Sequence, residues 1–363
     1  MNKPDSSRYA VASIRCGRDQ TLALLANGKV IGWGGDGSGR VAADGPEYCS
    51  TLLAPTRPVE VNMQQKFVAV AAGHGVSLGI TVDHRVAIWG ANAAGVGGQH
   101  GSVALATPQA LAGIAKARTI VAGEFQFGVI TSSGDVHTWG LNVDGALGRA
   151  SAQLNALPGP IATLSNVYQL ALGNGYMLAL GDDGRLHAWG HNGAGQLGLG
   201  HLQTAHVPTA VPRLASIQAL AAGATHSLAL TAKGDVFAWG SNHHGQLAQA
   251  AVRYSSAPIQ VMLPERTRSI AAGMHFSLAL GKSGQLYAWG WNGHGQLGLG
   301  DTKERVDPEP VASLANVIAV EAGQTHVAAL TGDGLYGWGN NASGQLGAAR
   351  RTQLDPFSIL ATR

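Results

Sequence analysis

A Trp-Gly pair recurs seven times along this chain, at Trp33-Gly34, Trp89-Gly90, Trp139-Gly140, Trp189-Gly190, Trp239-Gly240, Trp289-Gly290 and Trp338-Gly339. Successive tryptophans are 56, 50, 50, 50, 50 and 49 residues apart. Two further glycines keep the same register. One follows each Trp by six residues, at Gly39, Gly95, Gly145, Gly195, Gly245, Gly295 and Gly344. The other precedes it, at Gly17, Gly73, Gly123, Gly173, Gly223, Gly273 and Gly323. A period of about fifty residues held through seven copies means one supersecondary unit repeated, each copy burying its apolar faces against its neighbours. The 363 residues therefore read as one repeat domain, 1–363, although length alone would allow two or three.

The copy beginning at Ser216, SIQALAAGATHSLALTAKGDVFAWGSNHHGQLA, shows what the unit is. Ile217 to Ala222 reads as a first strand ending in a turn at Gly223, and His226 to Thr231 as a second. Ala232-Lys233-Gly234 supplies a hairpin turn with glycine where positive φ is needed, and Asp235 to Trp239 follows as a third strand. Segments such as Val207 to Val211 give an outer strand, where Pro208 is tolerated because an edge strand can lack one N–H. Four antiparallel strands per repeat, seven times over, predict an all-β fold, a seven-bladed β-propeller of four-stranded antiparallel blades. Composition agrees: 52 glycines and only 12% charged residues suit short strands joined by tight turns. Small residues in the first strands, Ala221-Ala222-Gly223 and Ala271-Ala272-Gly273, fit the crowded axis of such a ring. The tryptophans, recurring in every copy, read as packing wedges between blades rather than binding aromatics.

These motifs resemble the regulator of chromosome condensation repeat family. The resemblance rests on LAAGATHSLAL at Leu220 to Leu230, GLNVDGALGR at Gly140 to Arg149, and GQLG at Gly195 to Gly198, Gly295 to Gly298 and Gly344 to Gly347, with GQLA at Gly245 to Ala248. It extends from about Val11 to Thr362. Other propeller classes fit worse, because no Trp-Asp dipeptide occurs and paired glycines appear only at Gly34-Gly35 and Gly97-Gly98. The resemblance implies an interaction scaffold, regulator or inhibitor. Guanine-nucleotide exchange on a small GTPase, the activity of the founding member, is the alternative; the long insertion near Val41 to Pro58 is not obviously the protruding wedge it would need. Light sensing, as in plant members, would need Trp-Arg-bearing loops where this chain has Ala224-Thr225, Met274-His275 and Gln324-Thr325. Inhibition of a secreted enzyme is opposed by an N-terminus, MNKPDSSRYAVASIRCG, without the apolar core of a secretory signal.

The two ends suggest how the ring closes. The chain enters within a first strand, and its C-terminal Asp355-Pro356-Phe357-Ser358-Ile359-Leu360 matches the outer-strand segment Asp307-Pro308-Glu309-Pro310-Val311. The expectation is a ring closed by the C-terminal strand pairing into the N-terminal blade, which would also protect the sheet edges.

A net charge of +3 with scattered Lys and Arg argues against an extended phosphate-tracking surface, and hence against a nucleic-acid partner. No stretch is apolar enough to span a membrane. Two cysteines, Cys16 and Cys49, read as reduced thiols, and a cytoplasmic location is expected. No nucleophile elbow, phosphate loop or H-E-x-x-H occurs, so neither catalytic residues nor a cofactor is assigned.

Strand alternation places the turn after each first strand and the loop after each Trp-Gly on one face of the disc, with the glycine hairpins on the other. A protein partner is expected on the former, where the loops vary over a constant frame. Phe125, Tyr176 and Phe276 are candidate aromatic anchors there, with His226, His275, His326 and Trp291 beside them. His226 and His326 stand in the family's own His position, which favours a hydrogen-bonded structural role for them. The loop histidines His191, His243, His244 and His294 are weak metal candidates, since they lack nearby Cys or paired carboxylates; a metal-dependent enzyme built on them is a further alternative.

Overall fold

The computed structural model describes residues 10–35, 56–61, 65–91, 98, 104–151, 154–212, 214–348 and 352–361. Among these run 28 strands in seven four-stranded antiparallel sheets, with one 3-10 turn at Val143–Gly145. Each sheet is one blade, and its strands follow chain order from the axis outward. Blade 5 is typical: inner strand Ile217–Ala222, second strand His226–Thr231, third strand Val236–Ser241 and outer strand Tyr254–Val261. The segment with Pro208 is outer strand Ala205–Ala210 of blade 4. The repeated landmarks thus become a ring in which the second strands carry the core. His226–Thr231, Tyr176–Gly181 and Phe276–Gly281 are buried at every residue, because both of their faces meet a neighbouring blade. This is why none of them shows the regular polar–apolar alternation of a strand with one solvated face. Every inner pairing also shifts register at the same place, for instance between Ile217 and Ala219 or between Val317 and Ala319. Such bulges increase local twist.

The tryptophans are wedges, as their recurrence implied. All seven are fully buried. Each of five visibly joins two blades by an indole N–H bond to a loop carbonyl of the blade before: Trp189 to Ala146 (3.0 Å), Trp239 to Gln196 (2.8 Å), Trp289 to Gln246, Trp338 to Gln296 and Trp33 to Gln345 (2.9 Å each). The glycine after Trp is obligatory for backbone reasons. Gly290 has φ +103°, and a Cβ there would stand 2.6 Å from the carbonyl oxygen of His275.

The ring does not close by strand exchange. Blade 1 consists of Val11–Cys16, Gln20–Leu25, Val30–Gly34 and Val59–Glu60, all from the N-terminal part of the chain. The C-terminal strand Gln353–Ala361 pairs with Gly334–Gly339 and completes blade 7. The expected pairing into the N-terminal blade is therefore corrected. What joins blade 7 to blade 1 is packing of the kind found at other joints. Thr21 Oγ1 and Trp33 Nε1 both donate to the carbonyl of Gln345, at 2.8 and 2.9 Å. Leu335 and Leu360 of blade 7 share a buried cluster with Ile14, Leu25, Ile31 and Trp33 of blade 1. Inside the channel Arg15 meets Glu321 at 2.6 Å. The last strand does span the joint, through Leu360, but by side-chain contact.

Of the two cysteines, Cys16 is a free thiol whose ionisation burial strongly disfavours. Cys49 lies outside the described residues, as does most of the Val41 to Pro58 insertion.

Candidate interaction face

The antiparallel order of each blade puts the inner turns and the post-Trp loops on one side of the disc. At its centre is the channel mouth, a cavity of about 120 Å³ lined by the residue after each landmark glycine: Arg18, His74, Glu124, Asn174, Ala224, Met274 and Gln324. Backbone bonds between successive blades tie this rim, including Ala224 N–H to Met274 O (3.0 Å) and Met274 N–H to Gln324 O (2.9 Å). The rim is chemically uneven. Arg18 Nη1 reaches His74 Nε2 at 3.0 Å and Glu124 Oε1 at 3.5 Å, and His74 Nδ1 lies 3.6 Å from Glu124 Oε1. Phe125 is 37% exposed and packs on His74 with ring centroids 5.4 Å apart. The opposite sector, at Ala224 and Met274, carries no charge.

Four of the residues assigned to partner contact lie inside the protein instead: Tyr176, His226, Phe276 and His326 are at most 1% exposed. That assignment is corrected, and the reason is geometric. In these four blades the side chain three residues after the landmark glycine folds back beneath the turn and covers the glycine itself. A Cβ on Gly173, Gly223, Gly273 or Gly323 would collide with the ring of Tyr176, His226, Phe276 or His326 respectively. The Gly-x-x-ring motif is thus a steric lock, and the ring reaches across to the next blade. His226 Nε2 lies 3.0 Å from Ser277 Oγ, and His326 Nε2 lies 3.0 Å from Thr21 Oγ1. Those hydroxyls donate onward to the carbonyls of Gln246 (2.9 Å) and Gln345 (2.8 Å), so each Nε2 carries the proton and donates. Tyr176 donates to the carbonyl of His226 at 2.5 Å, and burial raises its phenol pKa. Burial holds both His226 and His326 neutral, lowering their pKa values to about 3.

The remaining candidates are on the surface, and most converge. His244, His275 and Trp291 form a triangle of rings with centroids 5.3 Å (His244–His275), 6.2 Å (His244–Trp291) and 6.3 Å (His275–Trp291) apart. His294 meets the same indole edge-on at 5.3 Å. His243 is exposed next to them, its Nδ1 2.9 Å from Ser241 Oγ. His191 does not join the group; it pairs with Asp144 at 2.9 Å across another joint. Among the described residues no three His, Cys, Asp or Glu side chains are grouped to hold a metal ion. Glu304, which does not stand out in the sequence, binds His244 Nδ1 at 2.7 Å. It sits 60 residues along the chain, on the approach to the outer strand of the next blade, and no local motif marks it.

Fold and face together define a β-propeller whose blades are one repeated frame and whose individuality is displayed on its loop side. Its repeat matches the RCC1-like domain over residues 2–261 and again over 97–361, and the chain belongs to that family. It is 36% identical over 126 residues to the human protein named probable E3 ubiquitin-protein ligase HERC6, a match covering 32% of this chain and 11% of that protein. Among solved structures it resembles human WBSCR16 (TM-score 0.80, 24% identity, 91% of this chain and 93% of that one). It also resembles Prp20p from Saccharomyces cerevisiae (TM-score 0.77, 24% identity, 86% and 80%), described with its binding properties to Gsp1p and histones. At such identities these structures speak for the fold.

Proposed function

We propose that this chain is a protein-binding module that grips a partner with its loop face. The observation that carries the reading is where the surface departs from the repeat. Seven equivalent mouth positions hold seven different side chains, and the exposed Phe125 and the Trp291–His275 group stand on that same side. A frame kept constant with one varied face is how repeat proteins recognise partners, and aromatic residues of this kind anchor interfaces. Family membership supports the reading, and Prp20p provides a precedent for protein binding on this fold. The ligase activity in the human relative's name belongs to a protein of which the match spans 11%, and it is not carried over. Guanine-nucleotide exchange is not favoured over binding by any feature of the described residues.

The test is affinity capture from cognate lysate with folded wild type, a Phe125→Ala/Trp291→Ala variant and a Val82→Ser control. Val82 lies in a hairpin turn on the opposite side and is 59% exposed. A partner kept by wild type and control but lost by the double variant supports the loop face. A partner equally retained by all three rules it out.

A further inference from the structure

The loop face of blades 5 and 6 gathers side chains that the repeat does not need. Seven of the eight tryptophans are the buried wedges, whereas Trp291, the eighth, is only partly buried. Around it stand His244, His275 and His294, with His243 alongside. The charged groups facing this sector from neighbouring segments are few. Glu304 is held by His244 at 2.7 Å, and Arg253 lines the adjoining depression with His243, His244 and Glu304. Asp301 and Glu309 are both taken by Arg305, at 2.9 Å each. One carboxylate therefore serves four imidazoles and an arginine. Among the described residues His243, His275 and His294 have no carboxylate within ion-pair distance.

A surface rich in imidazole and short of carboxylate offers hydrogen-bond partners that an incoming carboxylate can use without competing with one already there. Phosphate backbones are tracked by rows of Lys and Arg, and here Arg253 stands alone among histidines. An indole beside the imidazoles suits the mixed apolar and anionic character of a peptide. Building on the loop-face reading above, we propose that this sector receives an acidic segment of a protein partner, with a carboxylate seated at His275 and His243 and an adjacent apolar side chain laid on Trp291 beside His294.

Acid dependence follows. Burial, then the neighbouring His244 and His243, lowers the pKa of His275. A seated carboxylate opposes that penalty by favouring the charged imidazole, so binding takes up protons and tightens as pH falls. Peptide carboxylates stay ionised down to a pH of about 5, which leaves the window between about 5 and about 7.

The probe is a glutamate-rich peptide, with a lysine-rich peptide and a single-stranded oligonucleotide as comparisons, titrated into the whole chain at about pH 6 and about pH 8. The glutamate peptide is expected to bind roughly tenfold tighter at the lower pH, one proton's worth of linkage per pKa unit. His243→Gln/His275→Gln should abolish most of that difference, Trp291→Ala should weaken binding at both pH values, and His191→Gln should change neither. Equal binding of the lysine peptide, preference for the oligonucleotide, no binding at either pH, or a pH dependence that survives the double substitution each overturns the proposal. The capture experiment separates the two readings. A partner lost by Phe125→Ala/Trp291→Ala while the glutamate peptide fails leaves the loop face standing without an acidic ligand.

Discussion

In six of the seven blades the side chain three residues after the landmark glycine is matched in polarity with the first residue after the corresponding position in the next blade; Gln126, whose counterpart is Met177 and which bonds the carbonyl of Leu141 instead, is the exception. Gln20 bonds Ser77 at 2.9 Å, His226 bonds Ser277 and His326 bonds Thr21 at 3.0 Å, and Ser227 lies 3.1 Å from the Tyr176 hydroxyl. Where the first of the pair is apolar, so is its counterpart: Phe276 shares a core cluster with Val327, and Val76 shares one with Phe127. A neutral buried histidine ties this match to pH. With a folded pKa of about 3 for His226 and His326, below the ordinary value of about 6.5, the unfolded chain binds the protons first as pH falls. Their contribution is fully present above pH about 6.5 and is lost toward pH about 3, at up to about tenfold in the folding equilibrium per pH unit per histidine. Urea melts at about pH 7.5 and about pH 4.5 should show this loss. His226→Phe combined with Ser277→Val, which copies the Phe276–Val327 pair, should lessen it; an acid slope identical to wild type would falsify this account. Gly223→Ala should destabilise by about 1–3 kcal/mol by overpacking, since its Cβ would meet the His226 ring and the carbonyl of Gly273 at 2.5 Å. A melt indistinguishable from wild type would show that the turn can give way.

Among the elements, the C-terminal strand Gln353–Ala361 has two roles that sequence alone could not separate. Its Asp-Pro start resembles the outer strand Arg305–Pro310, which identifies the type of strand but not the sheet that takes it, because every repeat offers the same third strand. It pairs within blade 7 and reaches blade 1 only through the cluster holding Leu360 and Trp33. Removing residues 353–361 should therefore lower the melting temperature and open one joint before the others. Hydrogen exchange is the check: protection should fall first at Thr21 and Trp33, while the Trp239 and Trp289 joints stay closed. Uniform loss around the ring would mean that this strand is no more than another edge. The frame was legible because Trp-Gly and the landmark glycines each answer a steric demand that recurs. The site was only partly legible. Tyr176 and Phe276 share a slot with His226 and His326, and the histidines' place in the repeat already pointed inward. By contrast, the meeting of His244, His275 and Trp291 depends on the angle between two blades, which no local pattern encodes.

At the scale of the whole molecule, each blade is one continuous stretch of chain, so no joint is privileged by strand exchange. The joint between blades 7 and 1 uses the same devices as that between blades 5 and 6: a histidine to a hydroxyl, that hydroxyl to a loop carbonyl, and an indole to the same carbonyl. The ring should consequently tolerate being opened elsewhere. In the intact chain, blade 6 passes to blade 7 through residues 311–316, between strands Arg305–Pro310 and Val317–Ala322. A circular permutant can copy that six-residue connection to join residue 361 to residue 11, and begin instead at the inner strand Thr267–Ala272. It should fold to the same far-UV spectrum and melt within a few degrees of the parent, since every joint keeps its contacts and only the location of the break moves. A permutant that stays unfolded, while a linear chain carrying the same added connection folds, would show that the 7–1 joint forms only when blade 1 leads the chain. The loop face should be unaffected by the cut, because Phe125, Trp291 and the histidines around it are presented by turns within blades.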